Sequence, residues 1–334
     1  MTISKRKADG YRGIWFTLGQ YYGKGTGNEP YGPRSKTPVF PYGDKYSGGL
    51  GTYTAKHVPM AVYSKDARKT FFVYGGTPDP AQRYLLCMAG TFDHETGRVT
   101  RPTIVHDKGG VDDPHDNPSI ALDGDGFVWV FVSGRARARP GFVYRSTAPC
   151  STDAFERLWE GEMTYPQPSF VPGQGFLLLF TKYTGVRELY FRRSPDGETW
   201  SEDAKLAGIR AQGHQRAGHY QTSARRGNIV GTFFNRHPHG DPDRRTDIYY
   251  LQTRDMGRTW TAVNGEKVNV PLTEVDGPAQ VLNYAEKGLN VYLKDMAFDE
   301  RDRPAFLYVT SPGHEPGPPN EPRTWRLTRW TGTA

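Results

Sequence analysis

The sequence predicts an all-β fold, and three features support this prediction. Aromatic residues make up 13% of the 334 positions, with 20 Tyr and 17 Phe, residue types that favour strands. The 39 Gly and 26 Pro residues supply many tight turns. No amphipathic segment extends beyond two helical turns. The chain is therefore expected to consist of many short strands joined by tight loops.

The charge pattern favours an acidic small molecule or carbohydrate as the partner. The net charge is +7, but the basic residues are scattered and no block of five Lys or Arg occurs, so nucleic acid is not a predicted partner. No apolar run approaches the roughly 18 residues that cross a bilayer, so no membrane partner is predicted. A few focused arginines can attract a polyanion. The oligomeric state is not predicted.

The sequence leaves the cellular location of the protein open. Residues 1–10 are polar and lack the apolar core of a signal peptide. This predicts a cytoplasmic protein as written, or a secreted or periplasmic one if a leader has been removed. Cys87 and Cys150 have no metal or redox spacing, and we interpret them as ordinary thiols.

An internal repeat organises the chain. Five copies, each opening with a short apolar strand, begin at His57, His115, Tyr165, His219 and Lys294. The predicted second strands are Thr70–Tyr74, Phe127–Val132, Phe176–Phe180, Ile229–Phe234 and Ala305–Val309, and third strands are predicted at Phe142–Arg145, Glu188–Arg192 and Asp247–Gln252.

The repeat period predicts the architecture. Pro59, Pro118 and Pro168 are 59 and 50 residues apart, and Thr222 follows 54 residues later. Propeller blades repeat about every 40–50 residues, so these intervals fit blades with loop insertions. The sequence therefore predicts a single β-propeller domain over residues 1–334, with seven blades.

Two turns of the Asp-box type support the propeller. They are Ser194–Trp200 and Thr253–Trp260, and their predicted role is structural, with the Trp packing between blades. The runs Tyr11–Phe16 and Trp325–Trp330 are the candidate strands for ring closure, and Gly23–Pro41 and Gly313–Pro322 are predicted loops.

Polar residues recur where the innermost strands begin. In a propeller these positions meet on one face, which predicts a polar ring. Its members are His57, His115 with Asp116 and Asn117, Tyr165 with Gln167, His219 with Tyr220 and Gln221, and Asp295. The ends of the following strands carry Arg135, Lys182 and Arg236, and cations of this kind suit a carboxylate. Together these columns predict an anion site.

Two loops complete the candidate site. The run Lys45–Tyr53 precedes His57 and combines three glycines with Tyr46 and Tyr53, so a substrate can approach the backbone closely. The loop His237–Asp241 carries two His and one Asp, which is a weak metal signal. No cofactor is predicted, and a structural or substrate-bridging divalent ion is left open.

Four patches of the sequence carry a family resemblance. They are Gly10–Trp15, Lys45–Tyr53 with His57, His115–Pro118, and Gly218–Gln221 with Asn235–His237. These patches resemble the BNR-repeat family of propeller carbohydrate enzymes, which includes ulvan lyases and enzymes that release rhamnose from glucuronate, described both as lyases and as rhamnosidases.

The resemblance implies roles for individual residues. In ulvan lyases a Tyr and an Arg on neighbouring strands act together with one or two His, and Tyr220 and Arg236, 16 residues apart, resemble that pair. His57 resembles the histidine on which the rhamnose-releasing enzymes depend. His57 and His115 lie further apart than the two His of the ulvan enzymes, which is a departure from that pattern.

The predicted reaction is β-elimination at a rhamnose–glucuronate or related uronate linkage. The enzyme must neutralise the carboxylate, take the C5 proton and protonate the departing O4. The predicted catalytic residues are His57, His115, Tyr220 and Arg236. The predicted substrate-binding residues are Tyr46, Tyr53, Asn117, Arg135, Gln167, Lys182, His219 and Gln221.

Two other functions stay open. An α-L-rhamnosidase would hydrolyse the same linkage, although a hydrolase normally needs two carboxyl groups beside the bond and the ring offers only Asp116 and Asp295. A propeller that only binds glycans would show affinity without product release. A sialidase is disfavoured, because no early Arg triad with a Glu–Tyr pair is evident.

Overall fold

The computed structural model describes residues 2–8, 56–78, 84–111, 113–315 and 317–332. Strands dominate these residues, and the helices are single 3-10 turns at Pro114–Asp116, Pro238–Gly240, Pro242–Arg244 and Pro318–Asn320. In this described part of the chain, no helix has the length and apolar character that crossing a membrane requires. The predicted all-β class is confirmed.

The described residues divide into two compact units. The first contains residues 2–8 and 57–175, and the second contains Lys56 and residues 176–332. Each unit is built from antiparallel sheets in which chain-consecutive strands are neighbours. Short turns suffice for such connections, which agrees with the abundance of Gly and Pro.

The first unit contains two sheets and one further strand. One sheet has the order β1-β10-β9-β8-β7, and the other has the order β2-β3-β4-β5, with β6 also paired to β4. The strands are β1 (Ile3–Ser4), β2 (Ala61–Ser64), β3 (Lys69–Gly76), β4 (Leu86–Asp93), β5 (Arg98–Val99), β6 (Thr103–Asp107), β7 (Pro118–Leu122), β8 (Val128–Val132), β9 (Gly141–Ser146), β10 (Phe155–Gly161) and β11 (Thr164–Val171).

The second unit contains three sheets. Their orders are β12-β13-β14, β15-β16-β17-β18-β19 with β20 also on β17, and β21-β22-β23. The strands are β12 (Gly175–Lys182), β13 (Glu188–Ser194), β14 (Ala204–Ala207), β15 (Gln221–Arg226), β16 (Ile229–Arg236), β17 (Thr246–Thr253), β18 (Trp260–Thr261), β19 (Lys267–Val268), β20 (Gln280–Leu282), β21 (Asn290–Phe298), β22 (Pro304–Ser311) and β23 (Thr324–Arg329).

Central strands are buried on both faces, which explains their uninterrupted apolar sequence. All five residues of β8 are buried, and Val128 and Val130 pack in one core cluster with Phe71 and Phe155. Removing such side chains from water stabilises the fold by roughly 1.5–3 kcal/mol each. Edge strands such as β23 are mostly exposed and carry charged residues, which limits edge-to-edge association.

The eight predicted second and third strands are confirmed, with ends within two residues of the predicted ones. The predicted start of the fifth repeat is wrong. Its first strand begins at Asn290, so Asp295 lies in the middle of β21 and is exposed. The register shifts between Leu293 and Asp295, because a β-bulge there interrupts the alternation on which the alignment depended.

The Asp closes both Asp-box turns, and the second turn also has the predicted packing of its Trp. In the second turn the Asp255 carboxylate accepts from the Thr259 amide at 2.8 Å, and Gly257 has a φ of 79° that favours glycine. The Trp260 ring is buried and meets the Phe191 ring edge-on at 5.3 Å between centroids. Since these rings stand on β18 and β13, Trp260 joins two sheets of the second unit.

Several predictions fall on residues that the structure does not describe. They concern the strand Tyr11–Phe16, the loop Gly23–Pro41 and the run Lys45–Tyr53, including Tyr46 and Tyr53. Ring closure and the blade count of seven also stay predictions. The C-terminal candidate strand is confirmed as β23.

Candidate active site

The first unit holds a cluster of aromatic rings around Tyr165, which we call the histidine cluster: His57, His115 and Tyr165. The Tyr165 ring centroid lies 5.3 Å from that of His57 and 5.4 Å from that of His115. All three side chains are buried. Three polar rings that sequence analysis assigned to three different repeats therefore come together.

The backbone of Tyr165 is strained in a way that positions its ring. Its φ of 53° lies in the left-handed region, which costs a bulky residue about 1–2 kcal/mol. The Tyr165 amide donates to Ser133 Oγ at 3.0 Å, and Ser119 Oγ donates to the Pro166 carbonyl at 2.7 Å. These bonds hold the conformation, and such strain is found preferentially at functional sites.

His115 forms a dyad with Asp113. Asp113 Oδ1 is hydrogen-bonded to His115 Nδ1 and also accepts from the His115 amide at 3.0 Å. Because the carboxylate can only accept, Nδ1 carries the proton and Nε2 is the accepting nitrogen of the neutral ring. This is the arrangement in which a carboxylate orients a histidine for proton transfer.

Three cations form ion pairs with Asp113 of the dyad and with the neighbouring Asp116. Arg139 donates from Nη2 to Asp113 Oδ2 at 2.6 Å and from Nε to Asp116 Oδ2 at 2.8 Å. The Lys108 ammonium lies 3.2 Å from Asp116 Oδ2, and the Arg135 guanidinium lies 3.9 Å from Asp113 Oδ2. Asp113 and Asp116 are thus both committed to buried ion pairs.

Burial and charge set the protonation of the dyad. Burial, followed by the charge of Arg135, lowers the pKa of His115 to about 4, although Asp113 acts in the opposite direction. Burial alone would raise the pKa of Asp113, but His115 and the two arginines outweigh it and hold this pKa well below its usual range. At neutral pH the dyad is therefore a neutral imidazole on a charged carboxylate.

The second unit holds a different cluster, which we call the tyrosine cluster: Lys56, Arg187, Tyr220, His237 and Arg245. The Tyr220 ring is buried, and three cations surround it. Lys56 Nζ lies 4.1 Å from its centroid, and the guanidinium carbons of Arg245 and Arg187 lie at 4.9 and 5.7 Å. The His237 ring meets it edge-on, with centroids 4.6 Å apart.

The hydrogen bonds of Asn235 fix the tautomer of His237. Asn235 Nδ2 donates to the Val291 carbonyl at 2.9 Å, so Oδ1 is the acceptor that receives the Tyr220 amide at 3.0 Å. The same oxygen lies 3.1 Å from His237 Nε2, which must therefore donate, and Nδ1 accepts from Arg187 at 3.4 Å. Gly218 leaves the room for this ring, since a Cβ there would lie 3.0 Å from Nδ1.

The tyrosine cluster concentrates positive charge. Burial and then the charges of Arg187 and Arg245 hold the pKa of His237 well below its usual value. Burial, and then Arg245, Lys294 and Arg187, likewise lower the pKa of Lys56, which is 3% exposed. Each of these cations raises the free energy of its neighbours, so an anion placed among them would relieve the repulsion.

Arg236, a predicted catalytic residue, is engaged in a buried ion pair. Its Nε donates to Asp247 Oδ2 at 2.6 Å, and its residue exposure is 8%. Asp247 Oδ1 accepts from the amides of Tyr284 and Ala285, both at 2.8 Å. Arg236 therefore has at least one structural partner, and its action on a substrate stays a prediction.

His219, a predicted substrate-binding residue, supports the backbone. Its Nε2 accepts from the Ile209 amide at 3.0 Å, so Nδ1 is the donor to the Asn235 carbonyl at 2.9 Å. Burial lowers its pKa to about 4, and the ring is neutral. Both nitrogens are committed to main-chain groups, which favours a positioning role over direct sugar contact.

The other predicted binding residues lie in varied surroundings. Lys182 Nζ is paired with Asp203 at 2.8 Å, while Gln167 and Gln221 are buried at the inner strands β11 and β15. Asn117 approaches β3 so closely that a Cβ on Gly75 would lie 2.1 Å from its Oδ1. Gly75 is thus required for the present position of Asn117.

The weak metal signal is not supported in the described residues, where no group of three or more His, Cys, Asp or Glu side chains is arranged to hold an ion. His239 instead stacks on His214, with centroids 3.6 Å apart. A divalent ion bound together with substrate stays open.

Several residues of the clusters were not predicted from sequence. Asp113 lies two residues before His115, close enough in the sequence to be predicted as its orienting carboxylate. His237 lies in a patch that carried the family resemblance. Lys56, Arg187 and Arg245 occupy no common repeat position, and sequence gave no signal for them.

Comparison with solved structures identifies the fold. A PL25 ulvan lyase aligns with 83% of this chain and 69% of its own, at 18% identity and a TM-score of 0.69. A PL25 ulvan lyase bound to -[GlcA(1-4)Rha3S]- gives the same coverage and TM-score at 17% identity. Polysaccharide lyase Uly1 aligns with 98% of this chain and 80% of its own, at 13% identity and a TM-score of 0.63. The chain therefore has the β-propeller fold of these proteins.

The family follows from a sequence model. The model described as "BNR repeat-containing family member" matches residues 62–333. The chain therefore belongs to the BNR repeat-containing family, as its motifs predicted. A search of curated proteins gives no match.

Proposed function

We propose that this protein is a polysaccharide lyase that cleaves a rhamnose–glucuronate or related uronate linkage by β-elimination. The observation that carries the proposal is the tyrosine cluster, in which Lys56, Arg187 and Arg245 surround a buried tyrosine ring. The fold shared with PL25 ulvan lyases and Uly1 supports the same reaction class.

The cations of the tyrosine cluster can neutralise the substrate carboxylate, which β-elimination requires. Loss of the C5 proton puts negative charge on a carbon beside an ionised carboxylate, so the carboxylate must be neutralised first. A guanidinium can bind it through two parallel hydrogen bonds, and in a buried setting this interaction is stronger than in water. Arg245 and Arg187 are suited to this role, and Arg236, which resembles the Arg of the ulvan lyases, is the third candidate for it.

Tyr220 is the proposed proton carrier. A phenolate accepts the C5 proton, a C4–C5 double bond forms as the C4–O4 bond breaks, and the resulting phenol donates its proton to the departing O4. His237 is neutral and donates from Nε2 to Asn235, so it serves to orient the Tyr220 ring against which it packs.

The histidine cluster supplies a second candidate for proton transfer. His115 is neutral at physiological pH and is oriented by Asp113, which suits a general base or, after it takes a proton, a general acid. His57 and His115 therefore keep their proposed catalytic roles. Variants at Tyr220, His57 and His115, each measured separately, would show which of these residues takes part in proton transfer.

A hydrolase is less well supported. It would require a carboxyl group whose pKa is raised so that it can protonate the leaving group. The pKa of Asp113 is instead held far down, and Asp116 is paired with Arg139 and Lys108. Asp113 thus orients His115 as an ionised carboxylate, and Asp116 is committed to its ion pairs.

One incubation tests the proposal. The protein is mixed with rhamnose–glucuronate oligosaccharides and with neutral glycans as controls. Elimination yields an unsaturated uronate that absorbs ultraviolet light, and the product masses sum to that of the substrate. Hydrolysis adds one water to that sum and no absorbance, and this result would overturn the lyase assignment. Binding without products would indicate a glycan-binding propeller.

A further inference from the structure

A large aromatic side chain stands exposed on the edge strand β23. Trp325 is 59% exposed, and Leu327, two residues further along the strand, is 72% exposed. Among the described residues, Trp325 is the single tryptophan in the group of exposed large hydrophobic side chains. Leaving an indole in water forgoes the stabilisation that its burial would give, so its position calls for an explanation.

A β-bulge directs a lysine to this ring. In the β21–β22 ladder Leu293 pairs with Tyr308 and Asp295 pairs with Leu307, so Lys294 is the extra residue of the bulge. A bulge turns the extra side chain away from the regular alternation. Lys294 Nζ consequently lies 5.6 Å from the centroid of the Trp325 ring.

The charge of Lys294 also interacts with the cations of the tyrosine cluster. Burial and the charge of Arg245 lower the pKa of Lys294 to about 8, and Lys294 in turn contributes to the lowered pKa of Lys56. Arg245 also packs on the Tyr220 and Tyr292 rings, at 4.9 and 4.7 Å. Positive charge thus extends from the buried Tyr220 ring outward to the exposed Trp325 ring.

We propose that Trp325 and Lys294 form an outer subsite for a sugar residue adjacent to the uronate that is cleaved. An indole offers a flat apolar surface on which the C–H face of a pyranose can stack. The Lys294 ammonium then pairs with a carboxylate or a sulfate ester on the bound chain. This inference rests on the proposed function, since it assumes that an acidic glycan occupies the tyrosine cluster.

Substrate length provides the first test. Initial rates are measured on uronate-containing oligosaccharides of increasing length for the unaltered protein, Trp325→Ala and the neighbouring control Leu327→Ala. Trp325→Ala should raise KM for the longest substrate about tenfold more than for the shortest. Leu327→Ala should match the unaltered protein at every length. Equal effects of Trp325→Ala at all lengths would overturn the subsite.

Substrate charge provides the second test. Lys294→Gln keeps a polar side chain that is one atom shorter and removes its charge, so it should reduce discrimination between a sulfated oligosaccharide and the same oligosaccharide after desulfation. If Lys294 instead pairs with a carboxylate, desulfation should leave KM unchanged. Reduction of the outer uronate to the neutral sugar should then raise KM. Discrimination that is unchanged in Lys294→Gln for both modifications would contradict the role of the lysine.

A binding measurement separates this inference from the lyase proposal. Calorimetric titration with an acidic polysaccharide should give weaker affinity for Trp325→Ala than for Leu327→Ala. If affinity falls in this way but no cleavage occurs with any glycan, the subsite stands and the lyase proposal fails. If cleavage occurs and Trp325→Ala binds normally, the lyase proposal stands and the subsite fails. A dimer in sedimentation that Trp325→Ala dissociates, with sugar affinity unchanged, would assign the surface to self-association and overturn the subsite.

Discussion

The Nζ atom of Lys56 lies 4.1 Å from the centroid of the Tyr220 ring. Lys56 is almost fully buried, and burial together with Arg245 and Lys294 lowers its pKa. An ammonium in this position is stabilised by the ring and destabilised by its cationic neighbours. A carboxylate that enters the cluster would reverse this balance, because it would favour the charged form of Lys56.

Substrate binding is therefore expected to take up protons. Because an anion raises the lowered pKa of Lys56, the protein should gain protons when it binds a glucuronate oligosaccharide at a pH between the Lys56 pKa of the free protein and that of the complex. Calorimetric titration in buffers of different ionisation enthalpy measures this uptake. Lys56→Gln should reduce it, whereas Lys205→Gln, at a lysine already paired with Glu188, should not. The same uptake in Lys56→Gln would exclude Lys56 as the proton acceptor.

The His115–Asp113 dyad predicts a specific loss of activity in Asp113→Asn. The amide cannot keep His115 in the tautomer with the proton on Nδ1, and it leaves Arg139 with a weaker partner. We expect kcat to fall more than tenfold, with a smaller change in KM. Steady-state kinetics on one oligosaccharide, with His115→Ala as the comparison, measures this effect. Full activity in Asp113→Asn would show that the dyad is structural.

Stability should fall as the pH is lowered from about 6.5 to about 4. The pKa values of His115 and His219 are lowered to about 4, and that of His106 to about 3, in each case chiefly by burial. The unfolded chain binds protons at these residues first, so acid favours unfolding. Urea unfolding at several pH values measures the loss. His106→Gln should flatten the dependence, and an unchanged slope would contradict this account for His106.

Trp260→Ala is expected to lower stability without a direct effect on catalysis. Deleting a large buried aromatic costs about 3–5 kcal/mol, and Trp260 packs on Phe191 from a neighbouring sheet. The matched control is Trp325→Ala, whose exposed ring should contribute little to stability. Thermal unfolding distinguishes the two variants. A Trp260→Ala protein that is stable but inactive would contradict the structural role of the Asp box.

The fold was predictable because its signals are local. Apolar strands, turn residues and the Asp boxes depend on neighbours in the chain, and β8 and β16 were placed within two residues from such signals. The fifth repeat failed because one bulge residue, Lys294, shifts the register of β21. A single inserted residue leaves almost no trace in the pattern of apolar positions.

The site was predictable only where the repeat itself carries it. His115, Tyr165 and His219 open successive repeats, and Tyr220 directly follows His219, so alignment found them. Arg187 and Arg245 lie in connections just before β13 and β17, and the tertiary fold brings both to the Tyr220 ring. Cations gathered from unrelated loops can be found only once the chain is folded.

Arg236 offers the most discriminating prediction, since it has both a structural partner and a proposed substrate role. Its bond to Asp247 implies that Arg236→Ala leaves a buried carboxylate without its partner, which costs about 3–5 kcal/mol of stability. Rates must therefore be normalised to folded protein. Asp247→Asn is the control, because it weakens the same ion pair while it keeps the guanidinium.

If Arg236 stabilises the charge that grows on the carboxylate as the C5 proton leaves, the interaction strengthens in the transition state. Arg236→Ala should then depress kcat and not merely raise KM, while Asp247→Asn should retain most of kcat. Arg236→Lys should restore activity only in part, since an ammonium keeps the charge but loses the planar grip on two oxygens. An unaltered kcat in folded Arg236→Ala would show that Arg236 acts only as the partner of Asp247. Neutralisation of the substrate carboxylate would then be assigned to Arg187 and Arg245.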